Sequence, residues 1–244
     1  MASKNGGTRP LFRHATVVTV VVCFFVLGVV ASAASLGGVN TSSVFSQQMD
    51  VQIDIPDPPG PLVSTNFSGC SNALDGWTDE SGATWTSHSG NWQCLGNDVV
   101  RAQQRVDLGH ATVNIDPINS GIRITTNFYD ISSQNNRSGP GIALFGDGNG
   151  GLVYAIYERD NDQIIIGHRY SGGQSFSQFP FAGDLESGTM SVTVTGANLS
   201  LALDGQTIGS YVVPSYFLDK YRFGLVSDND NQSRFDSFTI AGKK

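Results

Sequence analysis

From about residue 98 onward, apolar and polar positions alternate in short runs. Met190, Val192 and Val194 are separated by polar residues, and Leu199, Leu201 and Leu203 by polar or small ones. A period of two marks a strand with one buried face. The pattern predicts strands over 98–106, 110–116, 121–129, 140–146, 151–159 and 163–170. It predicts six more over 175–181, 189–195, 198–204, 207–213, 220–227 and 233–241. Between them lie hairpin-type turn clusters: DGNGG at 147–151, DND at 160–162, SGG at 171–173, TGAN at 195–198 and DG at 204–205. No stretch of 66–244 has a 3.6-residue period, and there is no internal repeat. Twelve strands at this spacing fit one all-β, two-sheet antiparallel sandwich over residues 66–244.

The amino terminus follows a different pattern. Residues 15–34 form an uncharged apolar run, preceded by a flank, 1–14, whose charges are Lys4, Arg9 and Arg13. A run of about 20 apolar residues is long enough to span a bilayer as a helix. The basic flank places the amino terminus in the cytoplasm and the rest of the chain outside it. Ala31, Ser32 and Ala33 offer a small-x-small cleavage site, so signal anchor and removable signal peptide both stand. Residues 35–65 read as a stalk or linker, extended through its Pro-rich piece at 55–61, with a possible edge strand at 51–54. Cys23 lies within the apolar run. Cys70 and Cys94 are the two cysteines of the exported part, and an oxidising compartment predicts a disulfide between them.

Charge narrows the partners. The first forty residues hold three of the 14 basic residues, so the remainder sets 11 bases against 21 acids. An acidic domain without a basic stripe excludes nucleic acid as a partner, because that binding depends on neutralising phosphates. Asn-x-Ser/Thr triplets at Asn40, Asn66, Asn136, Asn198 and Asn231 permit glycosylation without requiring it. Trp77, Trp85 and Trp92 cluster around the two cysteines and predict a satellite core under the amino-terminal segment, or else one edge of a binding face.

Three stretches of the carboxy-terminal half carry a resemblance: GTMSVTVTGANLSLALDGQTIG at 188–209, YRFGLVS at 221–227 and SRFDSFTI at 233–240. A weaker match is NFSGCSNALDGWT at 66–78. Together they resemble the concanavalin A-like lectin/glucanase superfamily in its laminin-G-like and pentraxin-like form. The resemblance implies a jelly roll over most of 66–242 and a carbohydrate-binding, lectin-like function. It also implies a structural calcium, for which Asp75 and Asp236 are the candidate ligands. Phe235 and Phe238 lie three apart, so a regular strand would point them to opposite faces. Either a bulge or burial on both faces is implied.

The family's glucanases carry three acids at alternate positions of one strand. Here Glu158, Asp160 and Asp162 have that spacing, and Glu158 with Asp160 would serve a glycoside hydrolase. The last acid is Asp where the enzymes have Glu, and the DND sequence reads as a solvated hairpin turn. A second candidate set is a sugar platform of Tyr154, Tyr157, Arg159, His168 and Tyr170. Aromatic rings stack on the apolar faces of sugars, while Arg and His bond hydroxyls. The leading expectation is an extracytoplasmic glycan-binding module, secreted or anchored in the membrane by its amino-terminal segment. A glycoside hydrolase and a non-catalytic surface or adhesion protein are the alternatives.

Overall fold

A computed structural model of the chain describes residues 61–117, 121–129, 139–171, 173–183 and 185–242, with Asp160 described through its backbone alone. The apolar run at 15–34, its basic flank, the stalk up to residue 60, the edge strand expected at 51–54, and Asn40 and Asn136 lie outside the described residues.

The early strands are β1 (Val63–Thr65), β2 (Trp85–Ser87), β3 (Trp92–Cys94), β4 (Val100–Ala102) and β5 (Gly109–Asn114). The middle ones are β6 (Ile122–Tyr129), β7 (Gly139–Leu144), β8 (Leu152–Glu158), β9 (Gln163–Tyr170) and β10 (Gly173–Pro180). The last five are β11 (Ser187–Thr195), β12 (Asn198–Leu203), β13 (Gln206–Val212), β14 (Arg222–Asp228) and β15 (Arg234–Gly242). They form two antiparallel sheets. One runs β13-β12-β11-β6-β15-β4-β3, with β1 also paired to β15, and the other runs β10-β9-β8-β7-β14-β5-β2. The all-β sandwich expected from the alternation is therefore present, and each of the twelve expected strands has a counterpart.

Two differences have local causes. The run at 98–106 gives only the short β4, because residues 103–106 leave the sheet and bond to the loop after β14. Asn229 N–H donates to the Val106 carbonyl at 3.0 Å, and Arg105 Nε donates to Asn231 Oδ1 at 3.2 Å. The sandwich also begins earlier than residue 66, since Val63–Thr65 pairs with Ile240–Phe238. The Asp204-Gly205 turn joins β12 to β13 with φ of 49° and 79° at its two residues. Positive φ at both central positions gives the turn the twist of the strands it joins.

The core lies between the sheets. Inward positions such as Ile142, Val153, Ala155, Tyr157, Val192, Leu201 and Leu225 belong to one buried cluster. Of the two alternatives for Phe235 and Phe238, the bulge is the one present: the β15–β6 register shifts between Phe235 and Ser237, and both rings are fully buried. Phe238 meets the edge of Trp85 at 5.2 Å, and Phe235 lies 5.6 Å from Trp92. Trp85 and Trp92 are thus part of the main core, which corrects the expectation of a satellite one. The strand pairing that brings them there, β2 on β5 and β3 on β4, could not be read from their spacing.

Cys70 and Cys94 form the expected disulfide, with Cα atoms 5.5 Å apart and 24 residues of separation. Closing a loop of this length removes freedom from the unfolded chain. Replacing both cysteines by Ser should lower the unfolding free energy by about 3 kcal/mol. The measurement is the urea midpoint at constant m, and an unchanged midpoint would show that the Trp-centred packing alone holds this end.

Candidate functional site

Period-two alternation gives β8 two chemically distinct faces. Val153, Ala155 and Tyr157 point into the inter-sheet core, so Leu152, Tyr154, Ile156 and Glu158 point outward. Outward positions of neighbouring strands extend this second face: Ala143 of β7, Val226 of β14 and Ile165 of β9. Leu108, from the loop between β4 and β5, packs on them to complete a second buried apolar cluster.

A cavity of about 260 Å³ opens on this face. Its floor is Tyr154, Ile156, Glu158 and Ile165. One wall is Gln174, Phe176 and Gln178, at alternate positions of the edge strand β10. The other is Asp107, Leu108, Asp228 and Asn229. Gly167 lets the first wall approach the floor, since a Cβ there would lie 2.6 Å from Phe176 Cβ and 2.9 Å from the Tyr154 hydroxyl oxygen. The second wall is fastened by hydrogen bonds. Leu108 N–H donates to Asp228 Oδ1 at 3.0 Å, and Arg169 Nη1 donates to Asp107 Oδ2 at 2.7 Å and to the Asp107 carbonyl at 3.2 Å.

Several polar groups of the cavity are paired with one another or shifted by burial. Gln174 Nε2 donates to the Tyr154 hydroxyl at 2.5 Å, and burial pushes that phenol up to about 12. Glu158 is 2 % exposed and accepts at Oε2 from Asn161 Nδ2 at 3.0 Å and from Gln163 Nε2 at 2.5 Å. Asp228 is pushed up to about 7, first by burial and then by the neighbouring Asp107 and Glu158 carboxylates. Phe176 presents a ring that is 49 % exposed at the rim. His110, also outward-facing, donates from Nδ1 to the Leu108 carbonyl at 3.0 Å, and burial lowers it to about 4.

The structure divides the five expected platform residues. Tyr154 lines the cavity. Tyr157, three positions on, faces the opposite way and is fully buried, with its hydroxyl donating to the Gly183 carbonyl, so it is not a surface ligand. His168 and Tyr170 stack at 5.8 Å in a separate aromatic corner with Tyr211, Tyr216 and Phe217. His168 Nδ1 and the Tyr211 hydroxyl are 2.6 Å apart, and burial lowers the His168 pKa. Arg159 sits beyond the end of β8, 3.8 Å from the Glu186 carboxylate.

The acids also differ from expectation. Glu158 is buried in the cavity floor rather than solvated. β8 ends at Glu158, and Arg159–Asn161 form a 3-10 turn, so Glu158 and Asp160 do not share a strand face with Asp162. Asp75 is exposed and accepts from Ser87 N–H at 2.8 Å. Asp236 sits at the bulge, with Oδ1 buried and without a hydrogen-bond partner. Among the described residues, no three His, Cys, Asp or Glu side chains group to hold a metal ion. Sequence reasoning missed Asp107, Asp228, Gln174, Phe176 and Gln178. The last three carried a signal, the i, i+2, i+4 spacing of one strand face.

In sequence, no protein-family model and no curated protein matches this chain. In structure, it is similar to the GH43 protein BlXynB of Bacillus licheniformis, with TM-score 0.55 and 15% identity, over 75% of this chain and 39% of that one. It is also similar to a galectin-like-fold protein of unknown function from Bacillus subtilis, with TM-score 0.52 and 12% identity, over 77% and 99%. A third similar structure comes from work on endo-acting O-glycanases that human gut microbiota express to initiate mucin breakdown. Its TM-score is 0.53 at 11% identity, over 75% of this chain and all of that one. These likenesses show the fold, a two-sheet jelly-roll sandwich.

Asp228 makes the cavity testable. Its folded pKa of about 7 lies above the ~3.9 of an unfolded Asp, so the folded state holds the proton more tightly. The stability from that proton is complete below about pH 4 and is lost as pH rises towards 7. Asp228→Asn should therefore gain on the wild type by on the order of 2–4 kcal/mol between pH 4 and 7.5. Urea unfolding at both pH values measures it, and parallel pH profiles would mean that Asp228 titrates as a solvated acid.

Proposed function

We propose that the domain is an exported carbohydrate-binding module and that the groove between β10 and the 107–108/228–229 loops is its ligand site. The observation that carries this reading is the exposed Phe176 ring beside a polar cavity on an outward sheet face. Sugars pair an apolar face with a rim of hydroxyls. The Phe176 ring suits the first, while Gln174, Gln178, Asn229 and the carboxylates suit the second. A volume of about 260 Å³ is slightly below the ~300 Å³ at which small-molecule sites typically begin. That size suits one or two sugar rings with the rest of the glycan outside. The fold's likeness to proteins named for glycan chemistry supports the reading, and the disulfide supports an oxidising compartment outside the cytoplasm. In this reading the run at 15–34 delivers the domain there, secreted or anchored.

Hydrolysis is favoured by one observation. Glu158 and Asp228 line the same cavity, and an acid held near 7 can keep the proton that a leaving group needs. A glycan array probed with the full chain, with each hit then incubated and analysed for cleavage, separates the two readings. Binding without cleavage is expected. Phe176→Ala should weaken the best hit at least tenfold, whereas Tyr216→Ala, in the aromatic corner, should leave it unchanged. The opposite pattern would move the site to that corner, and cleavage of a hit would make the protein an enzyme.

A further inference from the structure

We infer that the protein pairs with a second copy of itself through the outer edge of β10, an inference that goes beyond the carbohydrate-binding reading and does not depend on it. A strand at the edge of a sheet carries a row of backbone N–H and C=O groups that another strand can take up. The edges of this sandwich differ in how they are closed. β1, β2 and β3 have three residues each. The outer edge of β2 is bonded to the loop before it: Trp85 N–H donates to the Trp77 carbonyl at 2.9 Å, and Gly76 N–H donates to the Trp85 carbonyl at 2.9 Å. The edge of β3 is covered in the same way, by Asn72 and Leu74. β13 carries an irregularity, a register shift against β12 between Leu201 and Ala202.

β10 has none of these protections. Its eight residues pair with β9 in one unbroken register, and among the described residues β10 pairs with no other strand. Its sequence, GQSFSQFP, contains no charged side chain, although charge is a common guard against edge pairing.

The sequence of the strand supplies a second, independent observation. Gln174-Ser175-Phe176-Ser177-Gln178 reads the same in both directions. Two copies related by a two-fold axis run antiparallel, and residues at equal distances on either side of the axis face each other. Centred on Phe176, that pairing sets Phe176 opposite Phe176, Ser175 opposite Ser177 and Gln174 opposite Gln178. Aromatic and hydrogen-bonding pairs of this kind stabilise a ladder. A Gln amide has two N–H donors and an acceptor, so Gln174 can hold the Tyr154 hydroxyl and still meet Gln178 of the second copy. The Phe176 ring, 49 % exposed in one copy, gains an apolar neighbour. Pro180, which has no N–H, falls just outside the pairing and ends it. Because β10 forms one wall of the groove, the grooves of the two copies then lie side by side across the axis.

The test uses the full chain in a mild non-ionic detergent, with Cys23 replaced by Ser. Phe176→Cys places two thiols directly across the axis, and oxidation should link most of the protein into a dimer. Gln174→Cys and Gln178→Cys each lie four positions from their own counterparts, roughly 13 Å along the strand. Either alone should link at less than a tenth of that rate. Mixing these two variants should restore linking, which keeps the test open if Phe176→Cys fails to fold. An interface of this size belongs at the small end of specific ones, so sedimentation of the wild type should show a monomer–dimer equilibrium in the micromolar range. Phe176→Lys sets like charges opposite each other and should weaken that association at least tenfold. Association through the apolar run at 15–34 would respond to none of these substitutions. A chain that stays monomeric, an association unmoved by Phe176→Lys, or equal linking at positions 174, 176 and 178 would each overturn the pairing.

Discussion

β8 is buried on both faces, and this constrains everything around it. A strand in a two-layer sandwich normally gives one face to the core and the other to water. Here Val153, Ala155 and Tyr157 fill the core, while Leu152, Tyr154 and Ile156 are no more exposed on the other side. The outward face therefore needs cover, and the chain supplies it from two directions. The edge strand β10 sets Phe176 hard against Gly167, its cross-strand partner in β9, and the loop before β5 packs Leu108 into the outward apolar cluster. The groove is the space these two covers leave between them.

The position of the second cover depends on polar contacts. Val106 accepts from Asn229, Leu108 donates to Asp228, and Asp107 holds Arg169 across the face. This arrangement gathers acids in a place where burial disfavours their charge. Stability is thereby lost at neutral pH, and a chemically distinct cavity results. A solvated loop of the same length would leave Asp107 and Asp228 apart, and the groove would have no charge signature.

The sandwich was legible because its strands alternate, and alternation is a local property. Phe235 and Phe238 signalled either a bulge or burial on both faces, since parity forbids both rings on one side of a regular strand. The same parity argument applied to Tyr154 and Tyr157 separates them, and it was the missed signal in the expected sugar platform. Asp107 and Asp228 left no such trace. They lie 121 positions apart in sequence, and their meeting depends on where one irregular loop crosses a sheet. Glu158 was misread because an acid next to DND looks like part of a solvated turn. The 3-10 turn instead folds Asn161 back over it, with Gln163 beside it.

The central claim is that ligand enters the groove on the outward face of the seven-stranded sheet. The most direct measurement is NMR of the full chain with selectively labelled Gln side-chain amides and Ile methyls, titrated with the strongest array ligand. The account predicts that the Gln174 and Gln178 amides and the Ile156 and Ile165 methyls shift together and saturably, while Ile124 and Ile240, in the opposite sheet, stay still. Saturable binding that leaves all four groove signals in place would contradict it.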